Sequence, residues 1–414
     1  VLNQSDVSNA VFAGELALDG SLRPIRSAII TAEVAKNQKI KSVYVPAQNA
    51  KQAALVTGID VFPVENLKSL FLHLKKEKII KPIDRSSIKD VSHNHKNAPT
   101  IDDIYGQEQA KRAIQIAVAG RHNILLSGPP GSGKTMLAKS LKNLLPALSE
   151  DEIVEVTKLH SLGEHTIINN PIVDRPFRSP HHTASRASII GGGSKVQPGE
   201  ISLAHRGVLF LDELLEYPRT VLESLRQPLE DHEITVSRAN GKFNFPANFL
   251  LVATMNPCPC GFLGDPEKTC ICSQNQILNY QKRLSGPLLD RIDLTVSVSR
   301  VPHEKLLNNK MSTKSQQETF LSEIHKAYSI QRNRYKCSYK YNNDISSNSV
   351  DKITSISESA KTFLTNAAKK LDLSTRSYFK VIKVSRTIAD LEGSASIEVP
   401  HIAESLQYRQ INIG

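Results

Sequence analysis

The first part of the chain alternates between apolar and polar positions as β-strands and short helices do. Residues 12–18 (FAGELAL) alternate, and Asp19-Gly20 follows them as a hairpin turn signal. The later patterns predict, in order, a helix over 27–36, a strand over 41–45, a helix over 49–57, a strand over 60–62 and a helix over 64–76. We therefore expect a small α/β unit over residues 12–74.

Three later runs are apolar without alternation, which is typical of strands buried on both faces of a parallel sheet. They are residues 124–127 (ILLS), 207–211 (GVLFL) and 248–253 (NFLLVA). Helical periodicity covers Met136–Leu145 and most of the chain after Val350. The charged and polar residues 75–99 predict a domain boundary, the composition changes again at 308–318, and residues 336–349 predict a surface loop.

Composition indicates an ordinary globular protein of two or three domains, because 40% of the 414 residues are hydrophobic and 22% are charged. No run of about 18 apolar residues predicts a membrane helix, and residues 1–5 lack the features of a secretory signal. The chain does not begin with methionine, so we expect residues upstream of Val1. Four of the five cysteines fall within 258–272, which favours a reducing cytoplasm over a dispersed disulfide framework.

The chain carries a net charge of +11, because 52 lysines and arginines face 41 acidic residues. A surplus of this kind suits a polyanionic partner, nucleic acid first, and a merely soluble basic protein is the alternative. Aromatic residues make up only 5% of the chain and tryptophan is absent. This disfavours a platform that stacks single-stranded bases.

A glycine-rich motif, G-x-x-x-x-G-K-T, follows the apolar run at 124–127 and precedes a predicted helix. In such a P-loop, backbone N–H groups surround phosphate oxygens, Lys134 reaches the β- and γ-phosphates and the Thr135 hydroxyl binds Mg²⁺. We expect ATP to be bound by Gly128, Pro129, Pro130, Gly131, Ser132, Gly133, Lys134, Thr135 and Met136.

Polar residues end the other two buried runs. Asp212 and Glu213 follow residues 207–211, and Asn256 follows the run at 248–253. Strands also end in carboxylates where they reach solvent, and asparagine before proline is a common turn former. After a P-loop, the pattern favours Asp212 as a magnesium residue, Glu213 as the group that polarises the attacking water, and Asn256 as a group that positions water at the γ-phosphate.

Four clustered cysteines, Cys258, Cys260, Cys270 and Cys272, suit tetrahedral Zn²⁺. Such a zinc would be structural, because four thiolates leave no open coordination position. Free surface thiols and a redox disulfide are the alternatives, since the C-x-C spacing is tighter than is usual for zinc.

Residues 233–245 alternate on both sides of Asn240-Gly241, which is a type I′ turn signal. We therefore expect a hairpin with Arg238 and Lys242 at its tip. A solvated tip without a partner is the alternative, because turns are usually polar.

Several strings within residues 100–300 resemble the magnesium-chelatase-like YifB/ComM family of AAA+ ATPases. They are RSPHH at 178–182, GEISLAH at 199–205, LRQPLED at 225–231, MNPCPCG at 255–261 and GPLLDRID at 286–293. The resemblance continues through 373–391 and 402–409. It implies an α/β AAA+ P-loop NTPase core with a helical lid, assembled into a ring that is usually hexameric. ComM members of the family act as DNA helicases in branch migration during natural transformation.

The resemblance also implies roles for two arginines. Arg291 is the arginine finger, which acts on the nucleotide of the neighbouring subunit, and Arg376 is the sensor-2 arginine at the start of a lid helix. The alternatives are a salt bridge between Arg291 and Asp290 or Asp293, and an exposed helix-start arginine at 376.

By the same resemblance, residues 233–245 form a pre-sensor-1 hairpin that faces the pore of the ring. The stretch at 188–195 forms a second pore element. Arg238, Lys242 and Lys195 are then expected to contact DNA.

Residues 12–74 resemble the P-domain of Lon proteases, a ribosomal S5 domain 2-like α/β fold. The matching strings are GEL at 14–16 and GSLRPI at 20–25. When these are aligned on Pro24, the position of the catalytic lysine is occupied by Ile29. A Ser–Lys dyad cannot form without that lysine, so we expect a structural rather than proteolytic role.

Together these features predict four segments: a Lon-like domain over 1–76 that is incomplete at its N-terminus, a linker over 77–99, an AAA+ core over 100–302 and a helical lid over 303–414. The expected activity is Mg²⁺-dependent ATP hydrolysis at the interfaces of a cytoplasmic homo-hexamer, coupled to movement along single-stranded or branched DNA, with no membrane partner. A chelatase-type ATPase that remodels a protein partner during metal insertion is the first alternative. An ATP-gated assembly scaffold is the second.

Overall fold

The structure is a computed structural model that describes residues 7–84, 98–163, 169–193, 196–238, 241–301, 315–337, 340–346 and 349–409. Its α-helices are α1 (Ala28–Asn37), α2 (Ala50–Ala53), α3 (Leu67–Leu74), α4 (Glu108–Gly120), α5 (Lys134–Ser140), α6 (Glu150–Ser161), α7 (Arg186–Ile190), α8 (Glu200–Leu203), α9 (Arg219–Ser224), α10 (Pro228–Asp231), α11 (Gln274–Gln281), α12 (Gly286–Leu289), α13 (Gln316–Tyr335), α14 (Val350–Ile353), α15 (Glu358–Lys370), α16 (Thr375–Glu392) and α17 (Val399–Gln407). Among the described residues, no helix combines the length and the apolar character needed to cross a bilayer.

The strands form two parallel sheets and three short antiparallel pairs. They are β1 (Ala10–Phe12), β2 (Glu15–Leu16), β3 (Leu22–Arg23), β4 (Ser42–Pro46), β5 (Asp60–Val64), β6 (Ile124–Ser127), β7 (Phe177–Arg178), β8 (Gly191–Gly192), β9 (Gln197–Pro198), β10 (Val208–Leu211), β11 (Glu233–Arg238), β12 (Gly241–Pro246), β13 (Leu250–Met255) and β14 (Leu294–Ser297).

The N-terminal unit has a three-stranded parallel sheet in the order β1-β4-β5, and the predicted hairpin at Asp19-Gly20 joins β2 to β3. Tyr44 stacks between Phe12 and Phe62, with ring centroids 4.9 and 4.8 Å apart. The α/β character expected of residues 12–74 is therefore confirmed. The helix expected over 49–57 is shorter, because α2 gives way to the β-branched pair at 56–57 and then to Gly58, whose φ of 81° does not continue a helix.

The first residues after the expected boundary at 76 contact the N-terminal unit. The Ile80 N–H donates to Nδ1 of His73 at 2.9 Å, and the Ile83 N–H donates to the Val61 carbonyl at 2.9 Å. The chain therefore stays on the N-terminal unit through the described residues up to 84. The rest of the predicted linker, residues 85–97, lies outside the described residues.

The N-terminal unit packs directly on the following one through α1 and α6. Ile153 and Val154 of α6 contact its apolar core, the Ser27 hydroxyl donates to the Ser161 carbonyl at 3.1 Å, and Lys158 forms an ion pair with Glu33. A capping box at Ser149 and Glu152 starts α6 and orients it for this contact.

The central sheet is parallel throughout, with the strand order β14-β6-β13-β10-β7. Side chains alternate between its two faces. Leu126, Phe210 and Val252 pack in one apolar core, whereas Leu125 and Leu251 pack in the other. Because both faces are covered, β6, β10 and β13 are buried along their whole length, as their uninterrupted apolar sequences predict.

The C-terminal helices pack around α16, which contacts α4, α13 and α17. The prediction of a surface loop over 336–349 is wrong for residues 340–346, which the structure describes. Tyr341 and Ile345 are buried, and Asn342 is fully buried. The Asn342 amide donates to Thr387 Oγ1 at 3.0 Å and to Asp390 Oδ2 at 2.8 Å, so its polar atoms have partners inside the protein.

This buried network predicts a large loss of stability for Asp390→Ala. The Asp390 carboxylate is fully buried and pairs with Arg334 at 2.6 Å and with the buried Arg386 at 3.0 Å. Removing it leaves two guanidinium groups unpaired, and we expect a loss of about 3–5 kcal/mol in the free energy of unfolding.

Urea denaturation followed by circular dichroism measures this loss. Glu358→Ala is the matched control, because it breaks an exposed pair with Lys361 and should shift the midpoint little. Equal midpoints for the two variants would contradict the expectation.

Candidate nucleotide-binding site and cysteine cluster

The P-loop joins β6 to α5, as its sequence predicts. Gly131 and Gly133 have φ values of 79° and 87°, and a Cβ at either position would meet no atom within 4 Å. These two glycines are needed for their backbone conformation rather than for space. At Gly128, in contrast, a Cβ would lie 2.0 Å from the Val298 carbonyl oxygen, so only glycine fits beside β14.

Lys134 lies inside the P-loop. Its Nζ donates to the carbonyl oxygens of Gly128 at 2.7 Å and Pro129 at 2.8 Å, and to Asn256 Oδ1 at 3.3 Å. Burial lowers the pKa of Lys134, and the negative charges of Asp212 and Glu213 oppose that shift. The structure therefore brings the predicted lysine, carboxylates and asparagine to one edge of the sheet.

Two oxygen groups suited to Mg²⁺ meet at this edge. Thr135 Oγ1 lies 3.2 and 3.5 Å from the two carboxylate oxygens of Asp212. A hydroxyl beside a carboxylate is the donor set that this cation prefers, so the residues fit the predicted metal. Thr254, which sequence reasoning missed, donates its hydroxyl to Asp212 and orients the carboxylate. The available signal was a polar residue near the end of the buried β13.

Glu213 has a left-handed backbone, with φ 52° and ψ 53°, and its N–H donates to Thr254 Oγ1 at 3.1 Å. Its side chain is 55% exposed, and His182 Nδ1 lies 3.8 Å from one carboxylate oxygen. His182 therefore faces the predicted catalytic carboxylate.

A cavity of about 500 Å³ adjoins the P-loop and has the location and size for the rest of a nucleotide. Much of the lining of this cavity was not predicted from the sequence. The lining residues are Asp103, Ile104, Tyr105, Gln107, Pro130, Gly131, Ser132, Gly133, Met136, Glu267, Arg300 and Val301. The signal available in the sequence was Gly106, a glycine just before α4. In the structure Gly106 and Gln107 both have a φ of 61°.

Arg291 and Arg376 converge on one carboxylate, that of Glu230 in α10. Arg291 forms an ion pair with Glu230 and donates to the Arg226 carbonyl at 3.0 Å and the Pro287 carbonyl at 2.6 Å. Arg376 Nη2 lies 3.2 Å from the other oxygen of Glu230. Burial would raise the pKa of Glu230, but Arg376 and Arg291 outweigh it and lower the pKa.

The alternative predicted for Arg291, a salt bridge with Asp290 or Asp293, is not the observed pairing. The ion pair of Arg291 is with Glu230, while Asp293 is buried and pairs with Lys380 at 2.8 Å. Arg376 is the second residue of α16 and is exposed, as its alternative predicts, and it pairs with Glu230. The described partners of both arginines thus lie on α10 and near α12, not in the P-loop.

The predicted hairpin exists as β11 and β12, but Gly241, which was expected in its turn, lies in β12. Arg238 pairs with Gly241 and Ser237 with Lys242, so Gly241 belongs to the second strand rather than to the turn. Lys242 is exposed. The turn residues 239–240 and the predicted contact Lys195 lie outside the described residues.

The four clustered cysteines come together in space. Cys258 Sγ lies 3.4 Å from Cys260 Sγ and 3.6 Å from Cys270 Sγ, and the last two are 3.5 Å apart. Cys272 completes a group in which all four sulfurs lie within 4.8 Å of one another. A disulfide needs about 2.05 Å, so these are free thiols.

The spacing of the sulfurs fits a tetrahedral ion, because Zn–S bonds of about 2.3 Å place sulfurs about 3.8 Å apart. Backbone N–H groups support a thiolate here. Hydrogen bonds from Phe262 and Ile271 outweigh burial and lower the pKa of Cys260 to about 6. The Cys260 N–H in turn donates to Cys272 Sγ at 3.4 Å. The chain therefore offers a complete site for structural zinc.

We predict one zinc ion per chain in metal analysis of the purified protein. Cys270→Ser should lower the zinc content and the melting temperature together, because metal binding contributes to folding. Cys337→Ser, which changes the one cysteine outside the cluster, should alter neither. A metal-free chain with unchanged stability would exclude zinc.

Comparison with known proteins agrees with this geometry. Residues 100–306 match the family described as magnesium chelatase, subunit ChlI, residues 314–409 match its C-terminal region, and residues 1–49 match the subunit ChlI family of Mg-chelatase.

The chain is 41% identical to competence protein ComM of Haemophilus influenzae over 99% of its own length and 79% of that protein. It is 37% identical to the uncharacterized protein YifB of Salmonella typhimurium over 99% of its length and 79% of that protein. The 67 kDa subunit of magnesium chelatase from Heliobacterium mobile is more distant, with 27% identity over 39% of this chain and 28% of that subunit. With its parallel five-stranded P-loop core, the chain belongs to the magnesium-chelatase-like YifB/ComM family of AAA+ ATPases.

Proposed function

We propose that the protein is an ATP-driven, ring-shaped DNA motor that acts in branch migration during natural transformation and recombination. One observation carries the motor part: Lys134, Thr135, Asp212, Glu213 and Asn256 meet at one edge of the parallel sheet, beside a cavity of nucleotide size. The identity with ComM supports the assignment to DNA, since that relative's name links it to competence.

Each residue at this edge has a distinct role in the proposed hydrolysis. Backbone N–H groups of the P-loop and the Lys134 ammonium bind the β- and γ-phosphates. Thr135 and Asp212 would hold Mg²⁺, which supplies charge neutralisation at the phosphates when bound. Glu213 accepts a proton from the attacking water, and Asn256 orients that water and keeps Lys134 in place.

In this proposal Arg291 acts on the nucleotide of the neighbouring subunit in a homo-hexamer, and Arg376 is the sensor-2 arginine of the lid. What supports this is that both guanidinium groups contact Glu230, while the described contacts of Arg291 are with Glu230, Arg226 and Pro287. Two convergent guanidinium groups suit the spread negative charge of a γ-phosphoryl group in its transition state.

The proposed domains are the Lon-like domain at 1–76, the linker at 77–99, the AAA+ core at 100–302 and the lid at 303–414. For the first of these we propose a structural role. Ile29, at the position of the Lon lysine, is fully buried in α1 and offers no base.

The alternative is a chelatase-type ATPase that remodels a protein partner during metal insertion. The matches to magnesium-chelatase families support this alternative. The two functions differ in their response to DNA. ATPase rates measured with and without forked and single-stranded DNA separate them, because only the DNA motor should be stimulated.

The first prediction concerns catalysis. Lys134→Ala should abolish nucleotide binding, because the phosphate-binding cation is removed. Glu213→Gln should bind ATP but hydrolyse it at least ~100-fold more slowly, because the amide cannot take the proton of the attacking water. Fluorescent-nucleotide binding and phosphate release measure the two effects, and normal turnover by Glu213→Gln would remove that residue from the mechanism.

The second prediction concerns sites shared between subunits. Arg291→Ala should keep its affinity for nucleotide and lose hydrolysis. Mixed with Glu213→Gln protein, it should recover part of the activity, since some interfaces then combine an intact Glu213 with an intact Arg291. If subunits exchange and no mixture exceeds the sum of the two variants, hydrolysis does not use Arg291 in trans.

The third prediction concerns the hairpin of β11 and β12. Arg238→Ala/Lys242→Ala should keep basal ATPase activity and lose DNA-stimulated activity and unwinding, without a change in base preference. Cations that bind the DNA backbone do not distinguish base sequences. Each cation removed lowers the slope of log affinity against log salt concentration by about one.

An unwinding assay on forked DNA and a salt titration of binding measure these effects. Lys51→Ala/Lys68→Ala is the control, because it removes two exposed lysines from the N-terminal unit and leaves the hairpin intact. Wild-type unwinding and salt dependence in the hairpin variant would move the DNA site elsewhere, first to residues 191–195.

A further inference from the structure

We propose that the cysteine cluster sets the affinity of the nucleotide site, and that Arg300 is the residue that connects the two. In this proposal a metal ion on the four thiolates holds the intervening residues 261–269, the cysteine loop, against the P-loop. The inference rests on the proposed binding of ATP and adds a regulation of that site by metal.

The cysteine loop touches the P-loop at its first residue. Gly261 has a φ of 84°, and a Cβ there would lie 2.6 Å from Cδ of Pro130. Such a distance is shorter than any ordinary contact, so only glycine allows this approach. The residue next to Cys260 is therefore packed against the phosphate-binding loop without a gap.

Arg300 makes a second and more extensive connection. Its Nη2 donates to the Pro130 carbonyl at 3.2 Å. The same guanidinium lies 3.0 Å from Asp265 and 3.3 Å from Glu267, and 5.6 Å from the ring centroid of Phe262. One side chain thus joins three residues of the cysteine loop to the P-loop.

These contacts differ from those of an ordinary surface ion pair. The Asp265 side chain is fully buried and the Arg300 side chain is only 20% exposed. The guanidinium donates to the Pro130 carbonyl and to Glu267 from different nitrogens of one plane, and its Nε faces Asp265. A lysine ammonium would not reproduce this arrangement. The position of Pro130 is therefore coupled through Arg300 to the position of the cysteine loop.

The connection reaches the nucleotide cavity itself. Arg300 and Glu267 line the cavity together with Pro130 and the glycines of the P-loop. On the other side, Cys258 is fully buried two residues after Asn256, so the cluster also fixes the end of β13. A displaced cysteine loop would remove one wall of the cavity, while Lys134, Asp212 and Glu213 stay on their own strands and helix.

The cysteine loop depends on the cluster for its order. Most of its residues are exposed, burial is confined to Gly261 and the side chain of Asp265, and its composition is polar. Such a segment buries too little apolar surface to offset the entropy of ordering it, and a metal bound at both ends closes it.

The test measures the affinity of the full chain for a fluorescent ATP analogue, with Zn²⁺ bound and after the zinc has been stripped under reducing conditions and Mg²⁺ restored. Wild-type protein should lose about tenfold in affinity on stripping. Zinc-loaded Arg300→Ala should show a similar loss while it still holds one zinc per chain, and stripping it should cause little further loss, because residues that act through one connection are not additive.

Two further variants complete the design. Arg300→Lys keeps the charge but not the planar guanidinium with its several N–H donors, so it should recover only part of the affinity. Arg283→Ala is the matched control, because Arg283 contacts Glu216 and lies outside the cavity. It should keep wild-type affinity and its full response to stripping.

An unchanged affinity of wild-type protein after verified zinc loss would overturn the proposal. So would a stripped Arg300→Ala protein whose loss of affinity equals the sum of the losses from the substitution and from stripping. A purified protein without zinc would overturn it as well. Failure of the proposed function looks different, since zinc-loaded wild-type protein would then bind no ATP analogue at all. Formation of a disulfide within the cluster with retained affinity would also overturn it, because order in the loop would then not require metal.

Discussion

The parallel pairing of β6 with both β13 and β14 is the constraint on which the nucleotide site depends. Met255 lies opposite Ser127, and β10 continues the same direction on the far side of β13. Because all these strands point one way, the P-loop, Asp212 and Asn256 leave the sheet at the same edge. An antiparallel strand at any of these positions would carry its polar residue to the opposite edge.

The cores of the two sheet faces explain why this edge holds its shape. Each of β6, β10 and β13 contributes side chains to both cores, so a shift in register would exchange residues between two packed layers. The close approach of Gly128 to the Val298 carbonyl adds a local constraint, since β14 and the P-loop meet without room for a side chain. The geometry of the phosphate-binding loop is thus set by packing that lies behind it.

Much of this arrangement could be predicted from the sequence, because apolar runs and motif residues are local signals. The P-loop, the carboxylates after β10, Asn256 and the grouping of the four cysteines followed from short stretches of chain. The buried loop around Asn342 was mispredicted because its polar atoms bond to Thr387 and Asp390, which are distant in sequence. The pairing of Glu230 with Arg291 and Arg376, and of His182 with Glu213, joins distant segments in the same way. Amino-acid pattern carries no information on such partners.

The order of the strands in the central sheet also bears on how the chain acquires its site during synthesis. β6 and the P-loop emerge early, but the neighbours of β6 are β13 and β14, which are translated much later. Contacts between such distant segments form slowly, because the closure of a long loop precedes any gain from pairing. A nascent chain that ends before Leu294 has a P-loop sequence without β14 beside it. The geometry of the P-loop is therefore a property of the completed core, and a ribosome-bound fragment without β14 does not yet contain all of its packing partners.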